Sequence, residues 1–97
     1  MELNKTEEFE KWLNQETEKS RYQIAARLAR ILEYNHFGDA KLLGNSLAEL
    51  RWKCGRRIYY TVYKDNGKVV LLLIGGYKNG QTKDIQKAKK IIKKYKK

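Results

Sequence analysis

LLLIGGYKNGQTKDI, residues 71–85, is where the fold of this chain is decided. Four apolar residues run into a glycine pair, a polar cluster follows, and a new periodicity begins at Ile85. With Val69 and Val70 in front, VVLLLIGG is continuously apolar, the pattern of a central strand covered on both faces. Beyond the cluster, Ile85, Ala88, Ile91, Ile92 and Tyr95 share one helical face and lysines cover the other. The junction is either a plain strand-to-helix loop or a place where something negatively charged binds.

The same reading extends upstream. RRIYYTVYK, residues 56–64, alternates Ile58, Tyr60 and Val62 against Tyr59, Thr61 and Tyr63, and Asp65-Asn66-Gly67 after it is a hairpin signal. NSLAELRWK, residues 45–53, sets Leu47, Glu49 and Arg51 against Ala48, Leu50 and Trp52, again as a strand does. The first third has the helical period instead. Thr6 is placed to cap a helix over 6–18, with Glu7 and Glu8 in its first turn and Phe9, Trp12 and Leu13 on one face. Ser20 is placed to cap a second, over 20–35, with the stripe Ile24, Leu28, Ile31 and Leu32, ending at NHFGD. Residues 1–5 read as a short edge strand. The expected fold is α+β: one domain over 1–97, with a small twisted, mainly antiparallel sheet, two N-terminal helices and a C-terminal helix.

Composition narrows the function classes. A chain of 97 residues holds one modest core. No run approaches the length of a membrane span, and MELNKTEEFEKW lacks the apolar stretch of a secretory signal, so no membrane association is expected. The single cysteine, Cys54, fits a reducing cytoplasm. Net charge is +11, and it is one-sided: residues 1–20 carry six acids and three lysines, a net of −3, leaving +14 on residues 21–97. Such an excess points to a polyanion or an acidic protein partner; the competing reading is a solubility charge with a lysine-rich tail.

Three chemistries can be weighed on residue types. Gly75 to Thr82 spells G-x-x-x-x-G-Q-T, one residue from a phosphate-binding P-loop, but Gln81 stands where the lysine belongs, no strand follows the helix and no acid awaits a magnesium ion. His36 and Cys54, the sole imidazole and thiol, cannot make a zinc site by themselves, and Cys54 reads as inert, since as a nucleophile it needs a partner base and His36, a loop residue, is the sole imidazole; no metal or cofactor is expected. What remains is cationic and aromatic. In a meander the ends and middles of neighbouring strands lie side by side, so Arg51, Arg57 and Lys78 can converge on one face, with Arg56, Tyr59, Tyr60, Tyr77 and Gln81 on the same strands or just after them. Arginine forks grip phosphate, and tyrosine stacks on a base or moves a proton. The alternative is that Arg51 pairs with Glu49 and the tyrosines pack the sheet.

The motifs together resemble the HigB-like branch of the RelE/ParE toxin superfamily, the addiction-module killer proteins. The resemblance is carried by Glu49-Leu50-Arg51, by Gly55-Arg56-Arg57-Ile58-Tyr59-Tyr60, by Leu71 to Gln81, and by Asp84-Ile85 with Ala88. Upstream, TEEFEKWL and FGDAKLLGNSLAELR fit as well, so the likeness spans nearly the whole chain. The sequence departs from frequent family variants at Tyr77, where Asp is common, and at Arg56, where Tyr is common. The resemblance implies the toxin of a type II toxin–antitoxin pair, a ribosome-dependent mRNA endonuclease whose substrate 2′-OH attacks the adjacent phosphate without a metal. It implies that Arg51, Arg57 and Lys78 hold the phosphate, that Tyr60 or Tyr59 orients or deprotonates, and that Gln81, Tyr77 and Arg56 bind substrate. The implied partners are the ribosome with its mRNA and an acidic antitoxin carrying a helix-turn-helix. Two other functions stay open on the sequence: a gyrase inhibitor of the ParE kind, and a nucleic-acid-binding module without catalysis.

Overall fold

A computed structural model describes residues 1–95; Lys96 and Lys97, the end of the lysine-rich tail, lie outside the described residues. The elements are β1 (Glu2–Lys5), α1 (Glu7–Asn14), α2 (Glu18–Tyr34), β2 (Ala40–Gly44), β3 (Leu47–Arg51), β4 (Arg56–Lys64), β5 (Lys68–Tyr77), a 3-10 turn (Lys78–Gly80) and α3 (Gln81–Tyr95). They build one sheet in the order β1-β5-β4-β3-β2. Strands β2 to β5 are antiparallel, and β1 runs parallel to β5 at the edge. Helices α1 and α2 cover one face and α3 the other. The α+β class and the two-plus-one placement of helices are as the sequence reads.

Four details differ from the sequence reading. Helix α1 stops at Asn14 and α2 begins at Glu18. The α2 cap is Thr17, whose extended backbone lets its hydroxyl accept from the Ser20 amide at 3.1 Å; Ser20 itself donates to Glu16 instead. Leu32 is 46% exposed and so leaves the α2 stripe, which is Ile24, Leu28 and Ile31. The antiparallel strands number four, because β2 joins the three expected. Its tight turn uses left-handed backbone at both Asn45 and Ser46, which matches the twist of a two-residue hairpin. Arg27 on α2 fastens the lead-in to β2 by donating to the carbonyls of Phe37 at 2.9 Å, Asp39 at 2.7 Å and Arg51.

Strand alternation sorts the core into two. Ala48, Leu50, Ile58, Tyr60, Val70 and Leu72 face α1 and α2, against Phe9, Ile24 and Ile31. Leu47, Tyr59, Leu71, Leu73 and Ile74 face α3, against Ala88, Ile91 and Ile92. Strand β5 is buried on both faces, as its unbroken apolar run requires. One bulge interrupts the alternation: Tyr59 pairs with Ile74 and Tyr60 with Leu72, so Leu73 is the extra residue. The bulge resets the faces of everything after it. Gly75 then lies under Trp12 of α1, and Gly76 lies under Asp84 of α3. Thr6 locks α1 to the same strand, its hydroxyl accepting from the Phe9 amide and donating to the Leu73 carbonyl at 2.6 Å.

Candidate functional site

The end of β3, the start of β4 and the end of β5 meet at one end of the sheet. Arg51, Arg57 and Gly76 are successive partners across it, about 10 Å from first to last at the usual strand spacing. All three belong to the α3 face, as does Glu49, two residues earlier on β3.

Glu49 organises this end. Its residue is 2% exposed, and a carboxylate so buried requires cations and donors to stay in place. Oε2 lies 3.9 Å from Arg51 Nε and 4.0 Å from Arg57 Nε. Oε1 accepts from Gln81 Nε2 at 2.9 Å, at the first residue of α3. Both Nε atoms are buried and without a hydrogen-bond partner, so the guanidinium groups attract Glu49 by charge at a distance. Arg57 is committed further: Nη1 donates to the carbonyls of Arg56 at 3.0 Å and Trp52 at 3.3 Å. Arg51 differs, with 38% of its side chain exposed. The arginine held inside therefore balances Glu49, and the one at the surface keeps donors free for an anion.

Two more groups line the same face. Tyr59 is wholly buried, and its hydroxyl has no hydrogen-bond partner. Burial first, then the negative charges of Glu49 and Asp84, push its pKa well above the ordinary phenol value, against a smaller opposing effect from Arg57. It stays a neutral phenol at physiological pH. Asp84 sits over Gly76, where any Cβ would meet its carboxylate, and Gly80 is close on the other side. Burial raises the pKa of Asp84, opposed by Lys87.

The remaining expected site residues are elsewhere. Tyr60 lies on the opposite face, 6% exposed, its ring stacked on Phe37 at 5.5 Å. Burial raises its pKa, opposed by Arg27. The sheet separates it from Arg57, so it does not join the Glu49 group. Arg56 is on that opposite face too, with both terminal nitrogens 3.2 Å from Gln23 Oε1 and its guanidinium 5.3 Å from the Trp52 ring. Tyr77 follows the same parity and donates to Glu16 at 2.5 Å. Strand period explains the split: neighbours in sequence, such as Arg56 and Arg57 or Tyr59 and Tyr60, must point to opposite faces. Lys78 stands just past β5 at the Arg51 end, exposed, its backbone amide donating to Gly55 at 2.8 Å.

Glu49 and Asp84 are the residues that sequence reading undervalued. A signal existed for the first, since its alternation with Leu47 places a carboxylate on a buried strand face. None existed for the second, because its position over Gly76 depends on the bulge. Arg51, Arg57, Tyr59, Gln81 and these two acids make a site that can bind an anion at Arg51, with a carboxylate close behind.

No protein-family model matches the sequence. An uncharacterised protein of Haemophilus influenzae is 34% identical over 90 residues, which covers 92% of this chain and 90% of the relative. Among solved structures, a mutant of the E. coli toxin RelE in the free state superposes with a TM-score of 0.72 at 24% identity, over 92% of this chain and 94% of that one. The intact E. coli RelBE toxin–antitoxin complex contains a chain that matches at 0.66 and 23% identity, over 78% of this chain and 94% of that one. A YoeB/ParE toxin from Agrobacterium tumefaciens matches at 0.59 and 16% identity, over 79% and 98%. The chain thus belongs to one family with the Haemophilus influenzae protein, and its fold is that of the RelE and YoeB/ParE toxins.

Proposed function

We propose that this protein is the toxin of a type II toxin–antitoxin pair, of the HigB-like branch, and that it cuts mRNA on the ribosome. The observation that supports this best is the Glu49 group. A buried carboxylate holds two guanidinium groups at one sheet end, Arg51 is half-exposed, and Lys78 is exposed just past the end of β5.

In the proposed reaction the ribose 2′-oxygen attacks the adjacent phosphorus and the bond to the 5′-oxygen breaks. The products are a 2′,3′-cyclic phosphate and a 5′-hydroxyl end. Arg51 and Lys78 contact the non-bridging oxygens and stabilise the charge that develops there. Arg57, fixed inside, contributes field and holds Glu49; Glu49 in turn orients Arg51, and Gln81 fixes Glu49. Asp84, its pKa raised by burial, accepts the 2′-OH proton; a carboxylate with raised pKa is the better base. The leaving 5′-oxygen takes a proton from solvent. Tyr60 has no part in this scheme. The antitoxin is an acidic chain with a helix-turn-helix that covers the cationic sheet end; the likeness to a chain of the RelBE toxin–antitoxin complex supports an antitoxin partner.

The test is cleavage mapping by primer extension in a reconstituted translation reaction, with wild type and Arg51→Ala plus Lys78→Ala. Wild type should cut mRNA inside open reading frames. The double variant should fall by about 100-fold or more, the usual loss for a donor aimed at transition-state charge, while Arg57 and Gln81 keep Glu49 in place. Growth arrest with intact mRNA would rule the proposal out.

A further inference from the structure

Arg51 belongs to a second concavity as well as to the Glu49 group. Between α2 and the end of β3 lies an open groove of about 420 Å³, a size at which small ligands are held. It is lined by Arg27, Arg30, Arg51 and Lys53, and no acid lines it. Tyr22, Ala26 and Arg30 are spaced by four on α2 and so share one helical face. That face presents a phenol ring 76% exposed, a methyl floor and a guanidinium. Arg27 is not available to a ligand, since its donors are spent on backbone carbonyls and it lies 4.3 Å from the Trp52 ring. It serves as a rigid wall. Arg30 and Lys53 are exposed, and among the described residues their side chains make no hydrogen bond or ion pair.

A merely solvated helix face would mix signs and would not hold an aromatic ring in water beside two open cations. Phosphate needs the cations, and an unpaired base needs the ring. Acidic peptide would satisfy the cations and leave Tyr22 unused; duplex RNA would keep its bases stacked inside. We infer that this groove is a subsite for one nucleotide of single-stranded RNA next to the phosphate held at Arg51. The backbone phosphate lies on Arg30 and Lys53 and the base stacks on Tyr22. The assignment rests on the nuclease reading for its place beside the scissile bond.

The experiment is a fluorescence-anisotropy titration of labelled hexauridine with the full chain at several salt concentrations, for wild type, Tyr22→Ala and Arg30→Ala plus Lys53→Ala. Wild type should bind, and Tyr22→Ala should weaken binding by about fivefold or more, the smaller end of a base–aromatic stack. The double variant should flatten the dependence of log Kd on log salt by about 1.4, or 0.7 per cation for a single strand. Thermal midpoints should match wild type, since the substituted side chains are exposed. Absence of binding by wild type, an unchanged Tyr22→Ala, or displacement by polyglutamate as effective as by polyuridine would each overturn the subsite. Wild-type mRNA cleavage with groove variants unaltered in RNA binding sinks the subsite alone. Groove-dependent binding without mRNA cleavage sinks the nuclease reading alone.

Discussion

At the scale of single residues, Tyr59 shows how burial sets chemistry. Its phenol lies in a strand face packed by α3, beside two acids, and its hydroxyl finds no partner. A buried hydroxyl without a partner costs about 1–3 kcal/mol, so Tyr59→Phe should leave stability at pH 7 equal to or above wild type. The pH dependence has a definite sign. The unfolded chain releases the Tyr59 proton near its ordinary value of about 10, and the folded chain holds it beyond that. The associated stability is fully present below pH 10 and is lost as pH rises through the alkaline range. Urea midpoints measured from pH 8 to 11 should therefore fall for wild type and fall less steeply for Tyr59→Phe. Tyr60, raised in the same direction, keeps the remaining slope from vanishing. Identical slopes in the two proteins would show that Tyr59 is not held protonated.

At the scale of elements, the two glycines after the β5 bulge decide how the helices sit. A Cβ at Gly75 would enter the Trp12 ring, and one at Gly76 would enter the Asp84 carboxylate. The strand thus admits α1 on one side and the first turn of α3 on the other at the point where the chain leaves the sheet. Gly76→Ala should push Asp84 and the start of α3 outward, costing about 1–3 kcal/mol as overpacking does. Removing the obstructing carboxylate should restore most of that. The pair Gly76→Ala and Asp84→Ala should be more stable than the sum of the single losses in urea unfolding. Strict additivity would mean that the two do not meet.

At the scale of the whole molecule, the sheet has one guarded edge that matters. Strand β5 is ten residues long, apolar on both faces, and has β1 alone between it and solvent. Four parallel partners, Glu2 to Val69 through Lys5 to Leu72, cover its most apolar stretch. Deleting residues 2–5 should expose that edge as a template for pairing with other chains, seen in dynamic light scattering as large, polydisperse species. A deletion protein that scatters like wild type would show that β1 is dispensable as a cover. The elements themselves were legible in the sequence because period is local: alternation marked β3 and β4, an unbroken apolar run marked β5, and the 3.6-residue stripe marked all three helices. The cationic end of the sheet was legible as a set of residue types, too. Strand period says that Arg56 and Arg57, or Tyr59 and Tyr60, face apart, but not which of each pair joins Glu49; that choice follows from the β3–β4 register, which pairs Glu49 with Tyr59 and Arg51 with Arg57. The parallel placement of β1, the existence of β2, the bulge at Leu73 and the meeting of Asp84 with Gly76 are all decided by groups far apart in the chain. Their energies arise only once the sheet closes around them, so no local pattern records them.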